Sequence, residues 1–80
     1  MLGRIEFYNA AKQYGFVVSP EGRFFFHHDN VKKGMIPAIG AYVVFGLAPG
    51  LPGKPLQAVG IKFATPQDIG LAALENGGAL

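Results

Sequence analysis

The chemistry on offer in this chain of 80 residues is carried mainly by rings. From Lys12 to His28 it reads Lys-Gln-Tyr-Gly-Phe-Val-Val-Ser-Pro-Glu-Gly-Arg-Phe-Phe-Phe-His-His, which sets Tyr14 and Phe16, and again Phe25 and His27, at alternate positions with Lys12 beside them. Flat rings next to a cation suit stacking against nucleic-acid bases, at roughly 1–3 kcal/mol per stacked base. A neutral imidazole such as His27 can also stack and hydrogen-bond, and when protonated it meets a phosphate.

Other chemistries lack their parts. The chain has no cysteine, hence neither a disulfide framework nor a thiolate metal site. His27 and His28 are adjacent, so on a strand they point to opposite faces and do not chelate. Five acids and scattered glycines assemble no Ser/His/Asp set, carboxylate pair or phosphate loop. The expectation is a binding protein with no enzymatic activity, no cofactor and no metal.

Two short strands joined by a turn must position the rings. Tyr14, Phe16 and Val18 fall on one face of the first, with Gly15, Val17 and Ser19 on the other. In the second, Phe24, Phe26 and His28 oppose Phe25 and His27. Ser19-Pro20-Glu21-Gly22 between them supplies a ring-fixed φ and a permissive glycine, the chemistry of a turn. Both faces of the hairpin are therefore aromatic, and a two-layer domain needs only one apolar face for its core. The alternative is a hairpin that is core on both sides, its second face covered by the tail or by another copy.

The rest of the chain extends the sheet. Arg4–Asn9 reads as a half-buried strand with Ile5 and Phe7 on one side. Asp29–Lys33 suggests one helical or 3₁₀ turn with Asp29 or Asn30 as its N-cap, stopped by Gly34. Pro37 argues against a central strand in the connector that follows, where Ile36 and Ile39 are expected to plug one end of a barrel. Ala41–Leu47 and Gln57–Phe63 read as fourth and fifth strands, the latter with Val59, Ile61 and Phe63 on one face.

Five short strands rich in glycine fit closure better than an open sheet, because closure removes exposed edges. The expected fold is all-β: a small five-stranded antiparallel OB-type barrel, the oligonucleotide-binding architecture, over residues 1–63. Residues 64–80 form a C-terminal extension. In it Thr65 is set to cap a short helix with Pro66 at its first position and Asp68 at its third, running through Leu74 and ending at Asn76-Gly77-Gly78.

Charge supports the same partner. Net charge is +2, yet residues 1–62 hold all seven Lys and Arg against three acids, a net of +4, while the tail carries −2. The basic charge thus lies in the barrel, where a site tracking a nucleic-acid backbone needs it. The first residues lack the apolar core of a signal peptide, and no apolar run approaches the ~20 residues of a membrane span, so a soluble, cytoplasmic protein with no membrane partner is expected.

From Gly3 to about Ile61 the pattern resembles the cold-shock domain. Gly3-Arg4-Ile5-Glu6-Phe7-Tyr8-Asn9 resembles its opening strand, typically Gly, any residue, Val, Lys, Trp, Phe, Asn. Lys12-Gln13-Tyr14-Gly15-Phe16-Val17 resembles the first ribonucleoprotein motif, Lys-Gly-Phe-Gly-Phe-Ile, and Phe24-Phe25-Phe26-His27-His28 the second, Val-Phe-Val-His-Phe. Gly40–Phe45 and Gly53–Val59 are similar to the later strands. The resemblance implies single-stranded RNA or DNA as partner, bound through Phe7, Tyr8, Lys12, Tyr14, Phe16, Phe25, His27 and His28. It places Ile5, Val17, Phe24, Phe26, Val43 and Phe45 in the core. The departures are Phe7 for Trp, His28 for Phe, Glu6 for Lys, Gln13 for Gly, Gly60 for Asn, and Arg23 for an acid.

Two functions follow. One is a single-stranded nucleic-acid binder that acts as an RNA chaperone or strand protector. The other is a barrel repurposed for protein contact or self-association, with the aromatic face or the extension, around Ile69–Leu74, as the surface of a homodimer.

Overall fold

The computed structural model of the chain describes residues 1–50 and 52–73. Five strands follow in order: β1 (Leu2–Asn9), β2 (Tyr14–Ser19), β3 (Gly22–His27), β4 (Tyr42–Pro49) and β5 (Leu56–Phe63). They close into a barrel in the spatial order β1-β2-β3-β5-β4. Every pairing is antiparallel except β3 with β5, a parallel seam whose one register pair is Phe25 with Gln57. This is the expected small OB-type barrel, followed by one short helix, α1 (Pro66–Ala73).

The core is an apolar plug drawn from all five strands. Ile5, Val17, Phe26, Val43, Ala58 and Ile61 are wholly buried, Phe45 nearly so, and Tyr8, Phe24, Ala41 and Leu47 pack around them. Alternation explains β2 and β3: Val17 turns inward between Phe16 and Val18, and Phe26 inward between Phe25 and His27. Gly15 is required by close approach, since a Cβ there would run into the Phe7 carbonyl oxygen and lie 2.7 Å from Phe26 Cζ.

Strict alternation fails at two places, and a bulge explains each. The register of β1 on β2 passes from Ile5↔Val17 to Phe7↔Phe16, so Glu6 is an extra residue on β1. Ile5 is therefore buried while Phe7 lies outside, where alternation alone puts them together. On β5, Val44↔Lys62 passes to Gly46↔Val59, and Gly60 adopts the left-handed φ of 60°. Ala58 and Ile61 turn inward as a result, and Val59, opposite the exposed Gly46, leaves the face of Ile61 where alternation alone puts it; Phe63 pairs with the buried Val43 and is half exposed at the end of the strand.

The connector between β3 and β4 also differs from expectation. Its 3₁₀ turn, η1 (His28–Asn30), is capped by His27, whose Nδ1 accepts from the Asp29 amide at 3.1 Å, rather than by Asp29 or Asn30. Val31 then bridges to Ile61. Ile36 and Ile39 do not plug the barrel: they are 79% and 69% exposed, and Met35 and Pro37 are the buried residues of this segment. The spacing of the two isoleucines matched a buried pair, but the chain around Pro37 turns the neighbouring side chains inward instead.

The capping box of α1 forms as expected. Thr65 donates to Asp68 Oδ2 through its amide at 2.8 Å and its hydroxyl at 3.0 Å, and the Asp68 amide donates back to Thr65 Oγ1 at 3.1 Å. These two donors hold the Asp68 carboxyl below the usual carboxylate range. The helix lies against β1. Its expected continuation through Leu74 to Gly78 lies outside the described residues.

Candidate nucleic-acid interface

The outer faces of β1, β2 and β3 carry a continuous sheet of rings. The register sets Phe7 opposite Phe16, Phe16 opposite Phe25, and Tyr14 opposite His27, so each ring has a neighbour across the strand. Tyr14 and Phe25 stack at 5.8 Å with 21° between their planes. Phe16 meets both edge-on, at 6.1 Å from Tyr14 and 6.0 Å from Phe25. Phe7 completes the group at 5.8 Å from Tyr14 and 6.5 Å from Phe16. Phe25 and Phe7 remain 39% and 36% exposed, and Tyr14 and Phe16 are half-buried by one another. None of the four belongs to the core.

The eight residues expected at the site thus divide. Phe7, Tyr14, Phe16 and Phe25 form the platform, with the partly exposed His27 beside Tyr14. The His27 Nδ1 accepts the Asp29 amide hydrogen at 3.1 Å and lies 3.4 Å from Asp29 Oδ2. Lys12 is exposed on the link from β1 to β2, its amide donating to Asn9 Oδ1 at 3.0 Å; no carboxylate among the described residues pairs with its ammonium group.

Tyr8 and His28 are placed differently. The bulge at Glu6 turns Tyr8 towards the core, where its ring stacks on the buried Phe26 at 6.0 Å and 2°. Its hydroxyl is hydrogen-bonded to His28 Nδ1 at 3.0 Å. The pair lies beside the platform, and neither ring contacts any of its four members.

Two further contributors stand at the platform's edge. Arg23 shares outward parity with Phe25 and His27, a relation visible in the alternation of β3. Its Cζ lies 3.8 Å over the centre of the Phe16 ring, and its Nε donates to Glu6 Oε1. Glu6, whose charge opposes a phosphate, is therefore neutralised by a partner on the next strand but one. The second contributor is an open groove of about 780 Å³ along the β3–β5 seam, lined by Phe16, Arg23, Phe25, Lys54, Leu56 and Gln57 together with Pro49, Gly50 and Pro55. No local pattern reveals this groove, because its walls meet only through the pairing of Phe25 with Gln57.

Among the described residues no three His, Cys, Asp or Glu gather as a metal site. No described helix is long and apolar enough to cross a membrane. No protein-family model matches the chain, and no curated protein matches it.

Proposed function

We propose that this chain binds single-stranded RNA or DNA in the cytoplasm, as a divergent protein of the cold-shock type. It holds bases on Phe7, Tyr14, Phe25 and His27, with Phe16 packed edge-on among them beneath Arg23, and carries out no catalytic step. The observation that carries this reading is the platform itself: four contiguous rings on the outside of a barrel whose core is complete without them. Exposed rings lose hydration free energy to no structural end within the chain, whereas a single strand offers a π-face at every base. Lys12 and Lys54 flank the rings and supply phosphate contacts. With a net charge of only +2, binding draws more on stacking than on counterion release. Bases held this way are withheld from hairpins, the action of an RNA chaperone or strand protector.

A fluorescence-anisotropy titration with labelled single strands and with the matching duplex tests this reading. The expected outcome is saturable binding of the single strand, weaker for the duplex, weakened by salt and lost in Phe16→Ala/Phe25→Ala. Absence of binding at tens of micromolar, with that variant behaving as the native chain, sinks it.

A second reading, contact with a protein or another copy, draws on a different surface. Tyr42 at the start of β4 and Phe63 at the end of β5 are each about half exposed, and Ile69 of α1 is exposed as well. That reading predicts a mass that rises with concentration and falls on Phe63→Ser, with no dependence on Phe16 or Phe25.

A further inference from the structure

Among the described Lys and Arg side chains, only Arg23 has both an ion-pair partner and a ring beneath it. Glu6 engages Nε, and the two terminal NH₂ groups have no hydrogen-bond partner among the described residues. Arg23 also borders the open groove, across from Phe25, Lys54 and Gln57.

We propose that Arg23 makes this end of the ring face selective for guanine. The inference rests on the nucleic-acid reading above and adds a base preference to it. A guanidinium is a planar fork of donors, and guanine presents two acceptors, O6 and N7, side by side on its Hoogsteen edge. Adenine offers N7 but sets an N–H donor where O6 would be, thymine and uracil set an N–H donor between their carbonyls, and cytosine's one adjacent pair, N3 and O2, belongs to a single ring with less area to stack on Phe25 than a purine has. In a single strand that edge is free of a partner strand and a side chain can reach it.

The neighbours decide between a base contact and a phosphate contact. Paired with Glu6, Arg23 forms a unit of zero net charge, so its pull on a phosphate is largely cancelled, while the directional donors at its far end remain. Stacking on Phe16 and the bond to Glu6 together hold the fork in place before a base arrives, which reduces the ordering needed on binding. Glu6 is in this sense a positioning residue. Phe25, exposed at the same groove, supplies a ring for the base to lie against.

The test uses anisotropy titrations of oligothymidine carrying one central guanine, adenine or 7-deazaguanine, against the native chain and Arg23→Lys. The native chain should bind the guanine strand about fivefold or more tighter than the adenine strand, the low end of what a bidentate arginine–guanine pair discriminates. Replacing guanine by 7-deazaguanine, which lacks N7, should remove most of that preference without any change to the protein. Arg23→Lys keeps the charge and loses the fork, so its ratio of guanine-strand to adenine-strand affinity should fall to about one, whatever its affinity for plain oligothymidine. Arg23 is half exposed and outside the core, and an unchanged far-UV spectrum confirms the variant's fold. Equal affinity for the guanine and adenine strands, or a preference that survives 7-deazaguanine or Arg23→Lys, overturns the proposal while thymine binding leaves the platform reading intact. Failure of every strand to bind overturns both.

Discussion

Phe25 and Phe26 are neighbours of identical chemistry with opposite fates. Phe26 points inward, is wholly buried and has Tyr8 stacked on it; Phe25 points outward, is 39% exposed and joins Tyr14 and Phe16 in the platform. One face of the hairpin holds the barrel together, and the other is free to hold something else. The contrast teaches that aromatic content by itself says little, while its division by strand parity separates stability from function within two residues.

The largest effect expected from breaking this comparison is on the inner face. Phe26→Ala should cost about 3–5 kcal/mol, enough to unfold most of a domain of this size, whereas Phe25→Ala should stay within about 1 kcal/mol of native in the same urea titration. Next, Gly15→Ala should destabilise by about 1–3 kcal/mol, because the added methyl group meets the Phe7 carbonyl and the Phe26 ring, neither of which yields freely. On the outer face, Phe25→Ala should weaken single-strand binding by about 1–3 kcal/mol in anisotropy while leaving the urea midpoint nearly unchanged.

Smaller effects lie at the edges of the two faces. Gln13 holds a left-handed φ of 58° between β1 and β2, and its carbonyl accepts from the His28 amide at 2.9 Å. Gln13→Gly should therefore stabilise the chain by roughly 0.5–1 kcal/mol, measured as a higher urea midpoint. The smallest effect belongs to α1, away from both faces. With the folded Asp68 pKa depressed by the Thr65 amide and hydroxyl, its contribution is present at neutral pH and above the ordinary value of 3.8, and is lost as pH falls from there through the lowered value. Amide exchange at Ile69, whose N–H donates to Thr65 O at 3.1 Å, should accelerate in that acid range while core amides stay protected.

Particular elements show how far the sequence reaches. β2 is legible residue for residue, Tyr14 to Ser19, because one face is continuously apolar and turn residues bound it. The Thr65–Asp68 box is legible because capping is local chemistry. The faces of Phe7 and Tyr8, and of Val59 relative to Ile61, are not, since a bulge intervenes in each case, and a bulge moves every later side chain to the other face without leaving a mark in the alternation. Ile36 and Ile39 mislead for a related reason: hydrophobicity proposes burial, but the path of an irregular connector decides it. Within the candidate site, the ring platform is readable from parity. The Glu6–Arg23 pair and the groove along the β3–β5 seam arise from contacts between distant strands, which no window of sequence contains.

The central claim, that the outer rings and not the inner ones meet a single strand, is tested most directly by aromatic proton–carbon NMR correlation spectra. They would be recorded as an oligothymidine of about eight nucleotides, within the usual span of one such barrel, is added. The account predicts progressive shifts of the Phe7, Tyr14, Phe16 and Phe25 ring signals, with Phe26 and Phe45 unmoved. Shifts confined to Tyr42 and Phe63, or no shifts at saturating strand, would contradict it.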